Sequence, residues 1–227
     1  MSKNPIIKIE QMVGWEWAKK LILRTQNKKP KTPFPTSKQK LEWLLAEHSP
    51  IKVVEWCIDI DNLRQWVGVH LLRHPFVLPF ISSQRSDRVE DKEAQIEMVL
   101  SYIKEDIIND PLFDKKEWRD YRLQGSTNNH SFVVNAQTLI NISKKRLCHQ
   151  ASKETRDVWL LVHDCIKEQD KEMAAAMVPT CIYRGFCPEI TCCGYVLSNK
   201  YKEELNKYHN LISSPQDRFE KYKNINK

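Results

Sequence analysis

The stretch NAQTLINISKKRLCHQ, residues 135–150, predicts an amphipathic helix that begins with an asparagine. Asn135 is a favourable N-cap, because its side-chain oxygen can accept a hydrogen bond from a free backbone N–H of the first turn. At about 100° per residue, Asn135, Ile142 and Arg146 lie within about 40° of one another around the helix axis. The capping asparagine and the arginine therefore share one wall of the helix.

The segments on either side of this helix predict a mixed α+β fold. Residues 51–60 alternate in polarity, as in a half-buried strand, with one side formed by Val54, Trp56, Ile58 and Ile60. From Asp61 the apolar residues take helical spacing, and two prolines end that helix near residue 74. Residues 128–131 predict a polar turn, and residues 152–177 predict a second long helix. We expect one domain over residues 1–227, with a cysteine-rich C-terminal extension from about residue 178.

The composition is that of a soluble globular protein, with 41% hydrophobic and 29% charged residues. No apolar stretch approaches the roughly 20 residues of a membrane helix, so we expect no membrane partner. Residues 1–10 lack the long apolar centre of a signal peptide, which predicts a cytoplasmic protein. The seven cysteines are an odd number, and a disulfide framework is not expected in a reducing cytosol.

The formal net charge of +7 is compatible with ordinary surface lysines or with an anionic partner. Only five glycines are present and none are close together, which excludes a glycine-rich dinucleotide loop or a P-loop. If the chain binds nucleotides, side chains must hold the phosphates, and arginine suits that role. Lys144 and Lys145 are expected only to complement the dipole at the end of their helix, and Lys144 is expected to be an exposed charge.

Two further clusters are ambiguous when they are considered alone. Arg73 and His74, followed by SSQRSDR at residues 82–88, could hold a phosphate or could be solvated charge at a helix end. Cys181, Cys187 and the adjacent Cys192 and Cys193 are spaced too irregularly for a tetrahedral zinc site, so we expect no metal.

Taken together, the segments between about Glu47 and Arg156 resemble the flavin-dependent thymidylate synthases. The family signature Arg-His-Arg, x-x, Ser, x, Asn-Glu, x, Ser, x, Arg-Tyr is matched here by Arg73, His74, Ser83 and Arg85. The family segment Asn-Ala-Arg-x-Leu-x-Asn-x-x-x-x-Arg corresponds to residues 135–146, and its upstream His-x-Thr/Ser-Pro segment corresponds to residues 47–50. The cysteine-rich end is similar to a tail of divergent, often phage-encoded members, which would act in the host cytoplasm.

The resemblance implies an α+β subunit with a small, mostly antiparallel sheet, assembled into a homotetramer with active sites at subunit junctions. It also implies the conversion of dUMP to dTMP, in which methylenetetrahydrofolate gives the carbon and NADPH reduces a bound FAD. No cysteine nucleophile is required in this reaction.

The resemblance also assigns site residues by position. The residues expected to contact FAD are Ser49, Arg73, His74, Asn135 and Asn141. The residues expected to bind dUMP are His70, Ser83, Arg85, Arg146 and Arg122, with Arg119 as the alternative to Arg122. Arg146 is also the expected catalytic residue, because it would stabilise the charge that builds on the pyrimidine ring.

Several signature positions are changed, and several of the groups lost there would contact flavin or nucleotide. The replacing residues are Pro75, Leu78, Phe80, Ile81 and Ser86. Nucleotide binding is therefore better supported than methylation. Two alternatives remain open. The same scaffold could hydroxymethylate or otherwise modify a pyrimidine deoxynucleotide, or the chain could be a non-catalytic basic protein that binds nucleic acid. Nucleic acid is not the partner that the resemblance implies.

Overall fold

The computed structural model describes residues 4–83, 92–101, 103, 108–109, 111, 121 and 125–211. The first half contains β1 (Ile6–Val13), α1 (Trp15–Thr25), α2 (Ser37–Leu45), a 3-10 helix (Ser49–Val53), β2 (Glu55–Arg64), α3 (Gln65–Leu72), β3 (Leu78–Ile81) and α4 (Lys92–Leu100). The second half contains β4 (Thr127–Asn135), α5 (Ala136–Arg146), α6 (Lys153–Gln169), α7 (Lys171–Ala176), α8 (Thr180–Arg184), a 3-10 helix (Tyr195–Leu197) and α9 (Asn199–His209).

The described strands form one antiparallel sheet in the order β1-β2-β4-β3, which confirms the predicted α+β class. Strands β2 and β4 bring apolar side chains to the same face, since Trp56 pairs with Val134 and Ile58 with Phe132. All four are buried, so this face forms one wall of the core.

Helices α5 and α6 contribute to the same core. The buried residues of α5 include Leu139, Ile140 and Ile142, and those of α6 include Trp159 and Val162. The indole N–H of Trp159 donates to the Ser143 hydroxyl at 2.9 Å, which fixes the two helices to each other without leaving a buried donor unpaired.

Three sequence-based expectations were wrong. Strand β2 continues to Arg64, so the helix expected from Asp61 begins only at Gln65. Residues 128–131 belong to β4 rather than to a turn; the Ser131 hydroxyl donates to the Asp59 carboxylate of β2 at 2.5 Å, a long-range pairing that a local pattern does not show. The helix expected over 152–177 is divided at Asp170, whose carboxylate caps α7 by accepting from the Met173 N–H at 3.0 Å.

The described residues after residue 178 include a small apolar cluster of their own. Cys181, Ile182 and Tyr201 are buried together where α8 meets α9. All seven cysteines lie within the described residues and form no disulfide. Over the same part of the chain, no helix combines the length and the apolar character that crossing a bilayer requires.

Candidate functional site

Arg146, the last residue of α5, lies at the centre of the strongest polar cluster among the predicted site residues. Its Nε–H donates to His74 Nε2 at 2.9 Å, and its Nη2 donates to the backbone oxygen of His70 at 2.6 Å. Burial and the neighbouring Arg73 both lower the pKa of the guanidinium. The two bonds join residues that are 72 and 76 positions apart in the sequence. The end of α3 and the end of α5 therefore meet at this arginine.

The bond from Arg146 fixes the protonation of His74. A guanidinium has no acceptor, so His74 Nε2 must accept and its proton must lie on Nδ1. Burial, followed by the charge of Arg146, lowers the pKa of His74 to about 4. His74 is therefore a neutral imidazole at physiological pH, with an Nδ1–H that can donate to a ligand.

His70 connects this cluster to α6. Its Nδ1 lies 2.9 Å from the Thr155 hydroxyl, which lies 2.7 Å from the hydroxyl of Ser152, the N-cap of α6. Burial, Arg146 and Arg73 lower the pKa of the His70 ring. The backbone of His70 thus orients Arg146, while its ring is held by Thr155, which the sequence reasoning did not identify.

Asn135 caps α5 as predicted, since its Oδ1 accepts from the Thr138 backbone N–H at 2.9 Å and from the Thr138 hydroxyl at 3.0 Å. Helix geometry places Asn135 and Arg146 on the same side of α5, about 16 Å apart along its axis. The predicted wall therefore carries a carboxamide at one end and a guanidinium at the other.

Asn141 lies on the opposite side of α5, where its Oδ1 accepts from Gln137 Nε2 at 3.3 Å. Gln137 and Lys144 both donate to the carboxylate of Glu47, which precedes the Ser49–Val53 helix. Burial raises the pKa of Glu47, but hydrogen bonds from Lys144, Tyr183 and Gln137 outweigh it, and the net pKa is lowered. One subunit therefore does not bring Asn141 together with Arg146.

Lys144 is not the exposed charge expected from the sequence. Its side chain is only 16% exposed, it pairs with Glu47, and its Nζ lies 3.7 Å from the centre of the Tyr183 ring. By contrast, Lys145 is 59% exposed and pairs with Glu189 at 3.2 Å. The lysine doublet thus divides into one structural cation and one surface cation, because the two residues point to different sides of α5.

Three of the remaining predicted residues are described, and one of them, Arg73, lies near Arg146. Ser49 is exposed at the start of its 3-10 helix, which contacts α5, and Arg73 is exposed at the end of α3. Ser83 is exposed just after β3. Arg85 and Arg122, and the alternative Arg119, lie outside the described residues.

An exposed apolar strand borders the Arg73–His74 end of the site. Phe76, Leu78, Phe80 and Ile81 are 78%, 58%, 62% and 44% exposed, and β3 is an edge strand of the sheet. The apolar character of this segment is visible in the sequence, but only the tertiary structure shows that its side chains face outward.

No profile of a known protein family matches this sequence, and no curated protein matches it. Solved structures do match. A flavin-dependent thymidylate synthase of Helicobacter pylori, crystallised with FAD and dUMP, superimposes with a TM-score of 0.56 at 14% identity, over 78% of this chain and 100% of that one. A second structure of the H. pylori enzyme with FAD and dUMP gives 0.54 at 14% identity, over 76% and 99%. The chain therefore has the fold of the flavin-dependent thymidylate synthases.

Proposed function

We propose that this chain is a divergent flavin-dependent thymidylate synthase that binds dUMP at Arg146 and methylates it to dTMP. The observation that carries the proposal is the Arg146 cluster: in a fold shared with an enzyme crystallised with FAD and dUMP, this arginine is oriented by His70 and His74. Cytoplasmic location and the absence of a membrane partner follow from the same proposal.

Arg146 is suited to hold an anionic pyrimidine nucleotide. A guanidinium has five N–H donors, and its two bonds to His70 and His74 leave Nη1 without a bond to any described residue. Two protein acceptors fix the plane of the group before a ligand arrives, so little side-chain entropy is lost on binding. A fixed cation against the pyrimidine ring would stabilise negative charge developing there during the reaction, which is the catalytic role we propose.

The donors around this arginine fit a nucleotide and a flavin in chemical type. Arg73 and the Nδ1–H of neutral His74 are donors beside Arg146, and the side-chain nitrogen of Asn135 is a further donor on the same side of α5. We assign Arg73, His74, Asn135, Asn141 and Ser49 to FAD, and His70, Ser83, Arg85 and Arg122 to dUMP together with Arg146. Bound flavin would supply reducing equivalents taken from NADPH, and methylenetetrahydrofolate would supply the carbon.

A homotetramer accounts for the separation of Asn141, a proposed FAD residue, from Arg146, the proposed dUMP residue. Asn141 and Arg146 project from opposite sides of α5, so no ligand within one subunit contacts both along a short path. The exposed apolar strand Leu78–Ile81 follows Arg73 and His74 closely, and a second subunit covering it would bring another set of side chains to the site. Sites built from more than one subunit therefore fit both observations.

The first test is the absorption spectrum of the freshly purified protein, with the mass of the particle in solution measured on the same sample. We expect a flavin band, or uptake of added FAD, by a tetramer. A monomer that neither carries nor takes up FAD would refute the flavin assignment.

The reaction itself is tested by supplying dUMP, NADPH and methylenetetrahydrofolate to the flavin-loaded protein and measuring the mass of the product. Methylation gives dTMP. A product one oxygen heavier identifies hydroxymethylation instead, and no product with intact dUMP binding limits the chain to nucleotide binding.

A further inference from the structure

A cleft with a volume of about 500 Å³ lies between α6, α7, α8 and α9. None of the residues that line it is a predicted FAD or dUMP residue. The C-terminal extension builds one of its walls, through Ile182 of α8 and Tyr208 of α9. Its volume falls within the range of about 300–1,000 Å³ that is usual for small-molecule sites.

The floor of the cleft is apolar. Leu160, Met177, Val178 and Ile182 contribute to it, and Leu160 is 44% exposed although it lies on the helix that packs against the core. The stacked rings of His149 and Tyr195 add an aromatic wall, with centroids 4.5 Å apart and planes inclined by 23°. Binding of a ligand that covers an exposed leucine in a concave apolar surface is favourable, because apolar area is removed from water.

Among the described residues, the charged groups of the cleft leave one half-buried cation, Arg156, without a partner. The half-buried guanidinium of Arg156 makes no hydrogen bond or ion pair with any residue that the structure describes. The two lining carboxylates are already engaged: Asp157 pairs with Lys153 at 2.9 Å, and Glu204 accepts from the Tyr195 hydroxyl at 2.5 Å. A partly desolvated guanidinium with unused donors favours a carboxylate, sulfonate or phosphate group.

Further positive charge surrounds Arg156. Lys200 and Lys207 of α9 also line the cleft, and burial together with Arg156 and Lys200 lowers the pKa of His149. Arg156 lies near the amino end of α6, where the helix dipole adds to the attraction for an anion. Three cations and two carboxylates line the cleft, which gives it a net positive charge together with an apolar floor.

We propose that this cleft binds an amphipathic anion, whose acidic group is held by Arg156 and whose apolar or aromatic body covers Leu160 and the floor. The proposal goes beyond the thymidylate synthase assignment and does not depend on it.

The test uses the full chain and 8-anilinonaphthalene-1-sulfonate, an aromatic anion whose fluorescence reports transfer to an apolar site. We expect one saturable site per chain. N-phenyl-1-naphthylamine has the same body without the sulfonate, and it should bind at least about tenfold more weakly if Arg156 holds the anion. Equal affinity for the two probes would overturn the charge assignment.

Two variants locate the probe. Arg156→Gln should weaken binding by about 10- to 100-fold, and Leu160→Glu should abolish it by placing a negative charge on the floor. Their matched controls are Lys202→Gln, an exposed cation of α9 outside the cleft, and Leu161→Glu, since Leu161 is 45% exposed on α6 but does not line the cleft. Both controls should bind as the wild type does.

Three results with the variants contradict the proposal. They are wild-type probe affinity in either Arg156→Gln or Leu160→Glu, a loss of probe affinity in Leu161→Glu equal to that in Leu160→Glu, and a loss of probe affinity in Phe80→Ser, which would place the probe on the exposed β3 edge. Competition by dodecanoate or by 1-naphthyl phosphate then distinguishes an aliphatic carboxylate from an aryl phosphate as the better ligand. Displacement of the probe by dUMP at its own binding concentration would show that the cleft is not a separate site.

Discussion

Replacing Arg146 with alanine is the most direct perturbation of the proposed nucleotide site. In the structure the guanidinium donates to His74 Nε2 at 2.9 Å and to the His70 oxygen at 2.6 Å, and it is half-buried. Arg146→Ala leaves two acceptors without their donor, which should lower the free energy of unfolding by about 1–3 kcal/mol. Loss of a partly desolvated contact with an anionic ligand should cost a further ~2–5 kcal/mol in binding.

The binding loss corresponds to a reduction in dUMP affinity of roughly 30- to several-thousand-fold. Arg146→Lys should also lower the affinity for dUMP, because one ammonium cannot donate to His70, His74 and a ligand with the geometry of a planar guanidinium. The matched control is Lys145→Ala. Lys145 lies next to Arg146 but is 59% exposed, so this substitution should change the free energy of dUMP binding by less than about 0.5 kcal/mol.

Isothermal titration of dUMP into the wild type and the three variants measures these differences, with chemical denaturation to separate affinity from stability. NMR of the His74 ring gives an independent readout, since its pKa of about 4 should rise when the Arg146 charge is removed. Unchanged dUMP affinity in a folded Arg146→Ala protein would refute the placement of the nucleotide at this arginine.

Three further results follow from the same structure. Because the folded pKa of His74 is lowered from 6.5 to about 4, its neutral form stabilises the fold above pH 6.5, and that stability is lost as the pH falls toward 4. Chemical denaturation should show that His74→Gln removes about 1–2 kcal/mol of this pH dependence of the free energy of unfolding, a value reduced because the His74 ring is partly exposed. Glu47→Gln should lower the free energy of unfolding by about 1–3 kcal/mol, because Lys144 then lacks its carboxylate, whereas Asp157→Asn should change it by less than about 0.5 kcal/mol. Phe80→Lys should leave the unfolding of one subunit nearly unchanged, but light scattering should show loss of the tetramer; a tetramer that persists would contradict a subunit contact at β3.

Much of the local structure was predictable from short-range chemistry. The cap at Asn135 depends on contacts three residues apart, and the alternation of Trp56, Ile58 and Ile60 depends only on strand periodicity. The shared side of Asn135 and Arg146 follows from the helix period alone. The resemblance to flavin-dependent thymidylate synthases was also available from the sequence, because the matched motifs keep residue type and spacing although the sequence identity to the solved structure is only 14%.

The tertiary structure decided which groups meet across the chain. Residues 128–131 look like a turn because they are polar, yet Ser131 finds its acceptor in Asp59, 72 residues away. Lys144 and Lys145 are adjacent residues of the same type, and only the position of Glu47 makes one of them a structural cation. Local propensity cannot specify such contacts, because their free energy arises from burial and from partners distant in sequence. The sequence predicted Arg146 as a site residue, whereas only the structure showed that His70 and His74 hold it in place.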